Sequence, residues 1–445
     1  MNYDVIVIGA GPGGYVAAER AAARGKSVLL LEKAHLGGVC TNEGCIPTKS
    51  LLNSAKQYTH ALEAAKFGVH VEGARFSLAE AMAWKQDVIE TLRKGIAYLM
   101  NKHHVTVIFG EAEFLDRQTV RVNGETHQGQ HLIIATGSSA AVPPLPGVNS
   151  PHVLTNRELL QITELPRTLA IIGGGYIGME FACCFSQVGV DVHVIEMMPE
   201  IVPTMDAHFA KILRKALPPI SYHLGAKVEG IEQDTVIFTE KGETQRLRAD
   251  IILMSVGRRP NVQGLEQLGL DLRRQGIKVN EQMQTNLPGV YAVGDVNGES
   301  LLAHSASRMA EVAVNTICGQ PDRMRYQAIP WVVYTQPEVA GCGLTEQQAR
   351  QQGLNVKTAT MQMRANGRFL AEYGKQAPGL CKVVVDADSN VIKGVHLLGA
   401  ACSEMIYGAA AMLEAELRVQ DMREIIFPHP TVSEMIRDTL WEIPL

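Results

Sequence analysis

Two stretches of the chain repeat one pattern of apolar and polar positions. In the first, an apolar run from Val5 to Ile8 meets Gly9-Ala10-Gly11-Pro12-Gly13-Gly14, and Ala17, Ala18, Ala21 and Ala22 follow at helical spacing. A second apolar run, Ser27 to Leu31, closes on Glu32. In the second stretch, Leu169 to Ile172 meets Gly173-Gly174-Gly175-Tyr176-Ile177-Gly178, a helix runs through Phe181, and a strand from Asp191 to Ile195 closes on Glu196. Glu32 stands 23 residues after Gly9, and Glu196 stands 23 after Gly173. Each stretch predicts strand, glycine turn, helix, strand and terminal carboxylate. That context turns a bare G-x-G-x-x-G into a dinucleotide-binding fingerprint. The glycines allow a tight turn and close approach to a pyrophosphate at a helix N-terminus, and the carboxylate accepts from a ribose diol.

The remaining pattern fills in a larger plan. Each unit ends in a buried run meeting a glycine: Leu132 to Gly137, and Ile251 to Gly257. Pro143, Pro144, Pro146 and Gly147 form a stiff connection between the units. Thr285 to Asp295 predicts a strand leading to an acidic residue, then Leu301-Leu302-Ala303-His304 and a helix from Ser305 to Ile317. From Gln327 the texture changes to alternating strands, such as Lys382 to Val385 and Val391 to Leu397, before a helix from Ser403 to Leu417. The expectation is an α/β protein with two Rossmann-like dinucleotide-binding domains plus a C-terminal α+β domain, for which the family resemblance given below implies dimerisation. The expected division is residues 1–145 (first dinucleotide-binding unit, first part), 146–264 (second dinucleotide-binding unit), 265–326 (return to the first unit) and 327–445 (the α+β part).

Composition narrows the class. The 445 residues suffice for several cores, with 46% hydrophobic and 20% charged residues. Net charge is −5, and no basic block is interleaved with aromatics, so neither nucleic acid nor an anionic membrane surface is an expected partner. No secretion signal precedes the first strand and no apolar run is long enough to span a bilayer, so the expected location is cytoplasmic. Of eight cysteines, Cys183, Cys184, Cys318, Cys342, Cys381 and Cys402 show no framework spacing and are expected to be reduced.

Cys40 and Cys45 differ in their company. They lie in Gly37-Gly38-Val39-Cys40-Thr41-Asn42-Glu43-Gly44-Cys45-Ile46-Pro47-Thr48-Lys49. On a regular helix, Cα atoms five positions apart would be roughly 8–9 Å apart, beyond disulfide reach. A bridge would therefore need a turn between them, which Gly44 permits; otherwise they are two reduced thiols near a helix start. The spacing does not suit zinc, and no metal is expected. Pro47 suits the first turn of a helix, which puts Cys45 at the positive end of the dipole with Lys49 one turn in. Near the C-terminus, His429 stands between Pro428 and Pro430, with Glu434 at the start of a final helix. A carboxylate-oriented histidine is a usual general base near neutral pH. Glu196 favours a free 2′-hydroxyl, and the next residues, Met197 and Met198, offer no cation for a 2′-phosphate, so NAD is expected over NADP.

Together the two fingerprints, the Gly-Gly-x-Cys-x-Asn-x-Gly-Cys-Ile-Pro-x-Lys run, Ala-Val-Gly-Asp and His-Pro-Thr-x-Ser-Glu resemble the flavin-dependent pyridine nucleotide–disulfide oxidoreductases. The likeness spans nearly the whole chain and is closest to members that oxidise protein-bound dihydrolipoamide. It implies FAD at Gly9, Gly11, Gly14 and Glu32, with Lys49, Ala112, Thr136, Gly137, Ser138, Asp295, Leu301, Leu302, Ala303 and His304 also touching the flavin nucleotide. It implies NAD at Gly173, Gly175, Gly178, Glu196, Val228 and Gly257, with Tyr176 covering the flavin face until nicotinamide displaces it. It makes Cys40–Cys45 a redox-active disulfide, pairs Lys49 with Glu180, and brings the His429–Glu434 dyad from the partner in a homodimer. The implied partner is a lipoyl-bearing domain or carrier protein of a 2-oxo acid dehydrogenase or glycine cleavage complex. Alternatives are an NAD(P)H-dependent reductase of small disulfides, like glutathione reductase, and a non-catalytic flavoprotein redox module. No cysteine follows Cys402, unlike the C-terminal pair of mercuric reductases. Phe427 and Pro428 depart from the pattern of the dihydrolipoamide-oxidising members, where another His often stands at the first of these positions.

Overall fold

The computed structural model describes residues 2–444, so Met1 and Leu445, the outer bounds of the expected first and last domains, lie outside the described residues. The apolar runs form the centres of two parallel sheets built to the same order. In the first, Thr106–Phe109, Val28–Glu32, Asn2–Ile8, Glu125–Ile134 and Val290–Ala292 lie side by side, all parallel. In the second the order is Ser221–Leu224, Asp191–Glu196, Thr168–Ile172, Ile251–Met254 and Val153–Leu154. Val5 to Ile8 and Leu169 to Ile172 are buried on both sides, which is why they read as unbroken apolar runs rather than alternating ones. The fifth strand differs in origin. The first sheet takes it from far downstream, and the second from just upstream, so the chain leaves the first unit, builds the second, and returns.

Each parallel sheet carries an antiparallel annex. Glu113–Phe114 and Thr119–Val122 pair with the start of Glu125–Ile134, and Lys227–Glu232, Thr235–Glu240 and Glu243–Arg248 form a three-stranded counterpart. Where the chain leaves and re-enters the first unit, Ser138–Ala140 and Arg258–Pro260 pair as an antiparallel ribbon. The C-terminal part is a five-stranded antiparallel sheet in the order Trp331–Val333, Glu338–Gly343, Ile392–Gly399, Leu380–Asp386, Val356–Gln362. The helices Cys402–Glu414 and Glu434–Trp441 pack on that sheet around a core that includes Val395, Leu397, Met435 and Ile436.

Two predicted elements are shorter than their patterns. The strand expected over residues 285–295 spans only Val290–Ala292, followed by a 3-10 turn over Gly294–Asn297 that holds Asp295. Pro288 and Gly289 precede it, the Thr285 hydroxyl caps the Leu287 amide, and Gly294 turns into the left-handed region at φ +75°. The helix expected to reach Leu417 ends at Glu414, because Glu416 adopts φ +51°.

Candidate active site

The cysteine run is a pair of helices hinged at one glycine. Gly38–Glu43 is a short helix carrying Cys40, and Cys45 is the first residue of the helix Cys45–Glu63. Gly44 joins them at φ −142°, ψ −105°. Asn42 holds the short helix in place: its amide donates to the Gly38 carbonyl at 2.7 Å, and its oxygen accepts from Arg93 Nε. The hinge brings both thiols within hydrogen-bonding contact, each partly buried and each reduced. Donation from Cys40 to Cys45, helped by Lys49, lowers the Cys45 pKa to about 7. The same bond, with burial, pushes Cys40 far above the ordinary thiol range. The pair therefore gives up one proton readily and holds the other tightly.

Lys49, one turn into that helix, reaches the second nucleotide unit. Its ammonium donates to both Glu180 carboxylate oxygens at 2.7 and 2.9 Å and lies 4.4 Å from the Tyr334 ring centroid. Glu180 is buried on the helix Tyr176–Gln187 and also accepts from the Tyr334 amide at 3.1 Å. One carboxylate thus links the thiol helix, the second fingerprint helix and the C-terminal sheet.

The two fingerprints are alike in detail. The Glu32 carboxylate accepts from the amides of Ala10 at 2.7 Å and Ala34 at 2.8 Å; Glu196 accepts from Gly174 at 2.6 Å and Met198 at 2.7 Å. Each acid therefore braces its own glycine loop while keeping lone pairs for a ribose. The glycines divide into two kinds. A Cβ on Gly14 would sit 1.7 Å from the Gly9 carbonyl oxygen, and one on Gly178 would sit 2.1 Å from that of Gly173. Gly9 and Gly173 take φ +97° and +106°, which glycine alone adopts freely. Gly11 and Gly175 are different: a Cβ on Gly11 meets nothing closer than 3.9 Å, and one on Gly175 meets nothing within 4 Å. Close packing fixes the outer glycines, and the middle one borders open space at a helix start. That is the form of a pyrophosphate cradle, so the residues present fit FAD and NAD.

The other predicted positions are placed around the two parallel sheets. Ser138 is buried, with its hydroxyl on Asp295; Arg258 donates to that hydroxyl at 2.7 Å and to the Ser138 carbonyl at 2.6 Å. The Thr136 hydroxyl donates to the Asn261 carbonyl at 2.7 Å, and Gly137 follows at φ +70°. Ala112 packs against the core beneath that sheet, Leu302 caps the helix Ala303–Ile317, exposed Leu301 precedes it, and His304 in its first turn meets the Pro330 carbonyl at 2.8 Å. Val228 packs against the core cluster that includes Ile172 and Ile195, and Gly257 takes φ +115° just beyond Ile251–Met254. Met197 and Met198 are both exposed after Glu196.

His429 and Glu434 meet, with Nδ1 at 3.1 and 3.2 Å from the two carboxylate oxygens. The Thr431 amide donates to Glu434 at 2.9 Å and holds its carboxyl below the usual range, with His429 adding to the effect. Glu434 is buried, whereas the His429 side chain is 80% exposed, so its Nε2 edge is presented outward. The His429–Pro430 peptide bond is cis. Arg437 lies beside Phe427, its guanidinium 5.9 Å from the ring centroid, so the residue that departs from the expected pattern packs against the last helix.

Three contributors escaped the sequence reading. Arg258 follows Gly257 directly and could have been found as the cation at the end of a repeat strand. Tyr334 and Arg93 carried no local signal, because only the fold brings them to Lys49 and Asn42.

A hinged dithiol at a helix start, joined by an ion pair to one of two dinucleotide cradles, defines a class. The chain belongs to the pyridine nucleotide–disulphide oxidoreductase family, whose model matches residues 3–310, and the dimerisation domain of the same family matches residues 329–440. Among curated relatives, the dihydrolipoyl dehydrogenase of Thermus scotoductus is 41% identical over 97% of this chain and 95% of its own. The mitochondrial dihydrolipoyl dehydrogenase of Pisum sativum is 37% identical over 98% of this chain and 90% of its own. Among solved structures, LpdA from Mycobacterium tuberculosis superposes with TM-score 0.90 at 25% identity, covering 98% of this chain and 99% of that one. The HOCl-induced flavoprotein disulfide reductase RclA from Escherichia coli gives 0.88 at 29%, covering 99% and 100%. Among the described residues no helix is long and apolar enough to cross a membrane.

Proposed function

We propose that this chain is a dihydrolipoyl dehydrogenase, which oxidises protein-bound dihydrolipoamide to lipoamide and delivers the reducing equivalents to NAD+. The observation that carries this reading is the Cys40–Cys45 pair, with its lowered second thiol, tied through Lys49 and Glu180 to the second fingerprint helix. Gly9, Gly11, Gly14 and Glu32, with Asp295 and the turn at Thr136 to Ser138, would hold FAD; Gly173, Gly175, Gly178, Glu196, Val228 and Gly257 would hold NAD+. Bound FAD supplies a two-electron relay between dithiol and nicotinamide, chemistry that no side chain provides.

With the pair oxidised, His429 takes a proton from one substrate thiol, and the resulting thiolate attacks the Cys40 sulfur. The Cys40–Cys45 bond breaks and Cys45 leaves as a thiolate. The second substrate thiol then attacks the substrate sulfur of the mixed disulfide, lipoamide departs, and Cys40 takes up one of the two substrate protons while the other is released. The direction of both thiol pKa values agrees with that product state. Glu434 holds Nδ1 of His429, which leaves Nε2 for the proton. The outward-facing dyad fits a site completed by a second copy of the chain, which the family's dimerisation domain supports. The substrate would ride on the lipoyl-bearing protein of a 2-oxo acid dehydrogenase or glycine cleavage complex in the cytoplasm. The domain division at residues 145, 264 and 326 belongs to the same proposal.

The test is a matrix of substrates and nucleotides. NADH formation from dihydrolipoamide and NAD+ should far exceed NADPH-driven reduction of glutathione-type disulfides. The reverse preference would replace this reading with that of a small-disulfide reductase.

A further inference from the structure

Tyr176 is the first residue of the helix Tyr176–Gln187, directly after the second glycine loop. It lies one turn before Glu180 on the same helix face, and Glu180 is the residue that meets Lys49 of the thiol helix. Tyr176 is thus at the cradle end of the helix whose Glu180 meets the thiol helix. Its ring is edge-on to Trp331 at 5.9 Å, and its hydroxyl is bonded to the Thr204 hydroxyl at 2.7 Å.

Thr204 belongs to a strap over residues 200–206 that is pinned at three places. The Val202 amide donates to the Gly174 carbonyl, inside the glycine loop, at 2.8 Å. Val202 is fully buried at φ +43°, a conformation that a β-branched residue keeps only where its surroundings hold it. Glu200 accepts from Arg214 at 2.8 Å, and Asp206 accepts from Lys382 of the C-terminal sheet at 2.7 Å. Lys382 also reaches Glu346 at 3.0 Å. The strap is therefore held by the glycine loop, by its own helix and by the C-terminal domain, and it presents Thr204 to the tyrosine.

We propose that Thr204 is a positioning residue that latches Tyr176, so that the nicotinamide end of NAD+ must break the Tyr176–Thr204 hydrogen bond to seat. This rests on the assignment of the second fingerprint to NAD+ and on Tyr176 occupying the place its nicotinamide takes. The latch costs affinity for the whole dinucleotide and leaves the ADP-ribose half untouched.

The test compares two probes by calorimetry at equilibrium, without turnover. In Thr204→Val, NAD+ should bind about two- to fivefold tighter, the lower half of what one net hydrogen bond contributes. ADP-ribose affinity should not change, and Thr204→Ser should restore the wild-type NAD+ value. Trp331 emission should respond to NAD+ at correspondingly lower concentration in Thr204→Val, and should not respond to ADP-ribose. Equal tightening of both probes, or no change in either, overturns the latch. Failure of wild-type protein to bind ADP-ribose overturns the NAD+ assignment instead.

Discussion

Lys49 and Glu180, 131 residues apart, close a part-buried two-point ion pair that joins the thiol helix to the second fingerprint helix. The carboxylate is only 5% exposed, so removing the lysine strands a buried charge. Lys49→Met should lower stability by about 3 kcal/mol, the usual consequence of breaking a buried pair from one side. Denaturant unfolding at fixed protein concentration checks this. The double variant Lys49→Met/Glu180→Leu should recover much of the loss.

The lowered Cys45 thiol predicts a break in the pair's reduction potential against pH. Below pH 7 both thiols are protonated, two protons accompany two electrons, and the potential falls by about 59 mV per pH unit. Above pH 7 Cys45 is a thiolate, one proton accompanies two electrons, and the slope halves to about 30 mV. Equilibration with dihydrolipoamide and lipoamide, followed by acid quench and thiol counting, gives the curve. Lys49→Met should move the break to higher pH, since it removes the cation that favours the thiolate.

The two kinds of fingerprint glycine should fail differently. In Gly178→Ala the new Cβ overlaps the Gly173 carbonyl, so the protein should lose both thermal stability and NAD+ binding. In Gly175→Ala the Cβ meets no protein atom within 4 Å, so stability should stay within about 0.5 kcal/mol of wild type while NAD+ affinity falls at least tenfold. Thermal unfolding and calorimetry on both variants separate the cases.

What the sequence disclosed follows from what is local. Gly9 to Glu32 and Gly173 to Glu196 are contiguous units whose spacing specifies one supersecondary structure, so the repeated strand, turn, helix and strand were readable. The hinge was readable as well, because a glycine stands directly before Cys45. The latch was not, since Thr204 lies in a loop with no pattern, on a strap held partly by Lys382 of another domain. The strand expected to reach Asp295 was overdrawn because Val290 to Val293 continues an apolar run that Gly294 ends. The source of each sheet's fifth strand is likewise a property of topology, invisible to periodicity.

A site shared between two copies predicts complementation. Cys45→Ser and His429→Gln should each be inactive as pure dimers. Unfolded together and refolded, about half the dimers are mixed, each with one intact site, so about a quarter of wild-type activity should return. A dyad acting within its own chain would return none.

The central claim is that electrons from dihydrolipoamide enter through Cys40 and Cys45. The most direct measurement is NADH formation from dihydrolipoamide and NAD+ by wild-type protein and by Cys45→Ser, each purified with its flavin and compared at equal flavin content. The account predicts rapid turnover in the wild type and loss of at least a thousandfold in the variant; equal rates in the two proteins would contradict it.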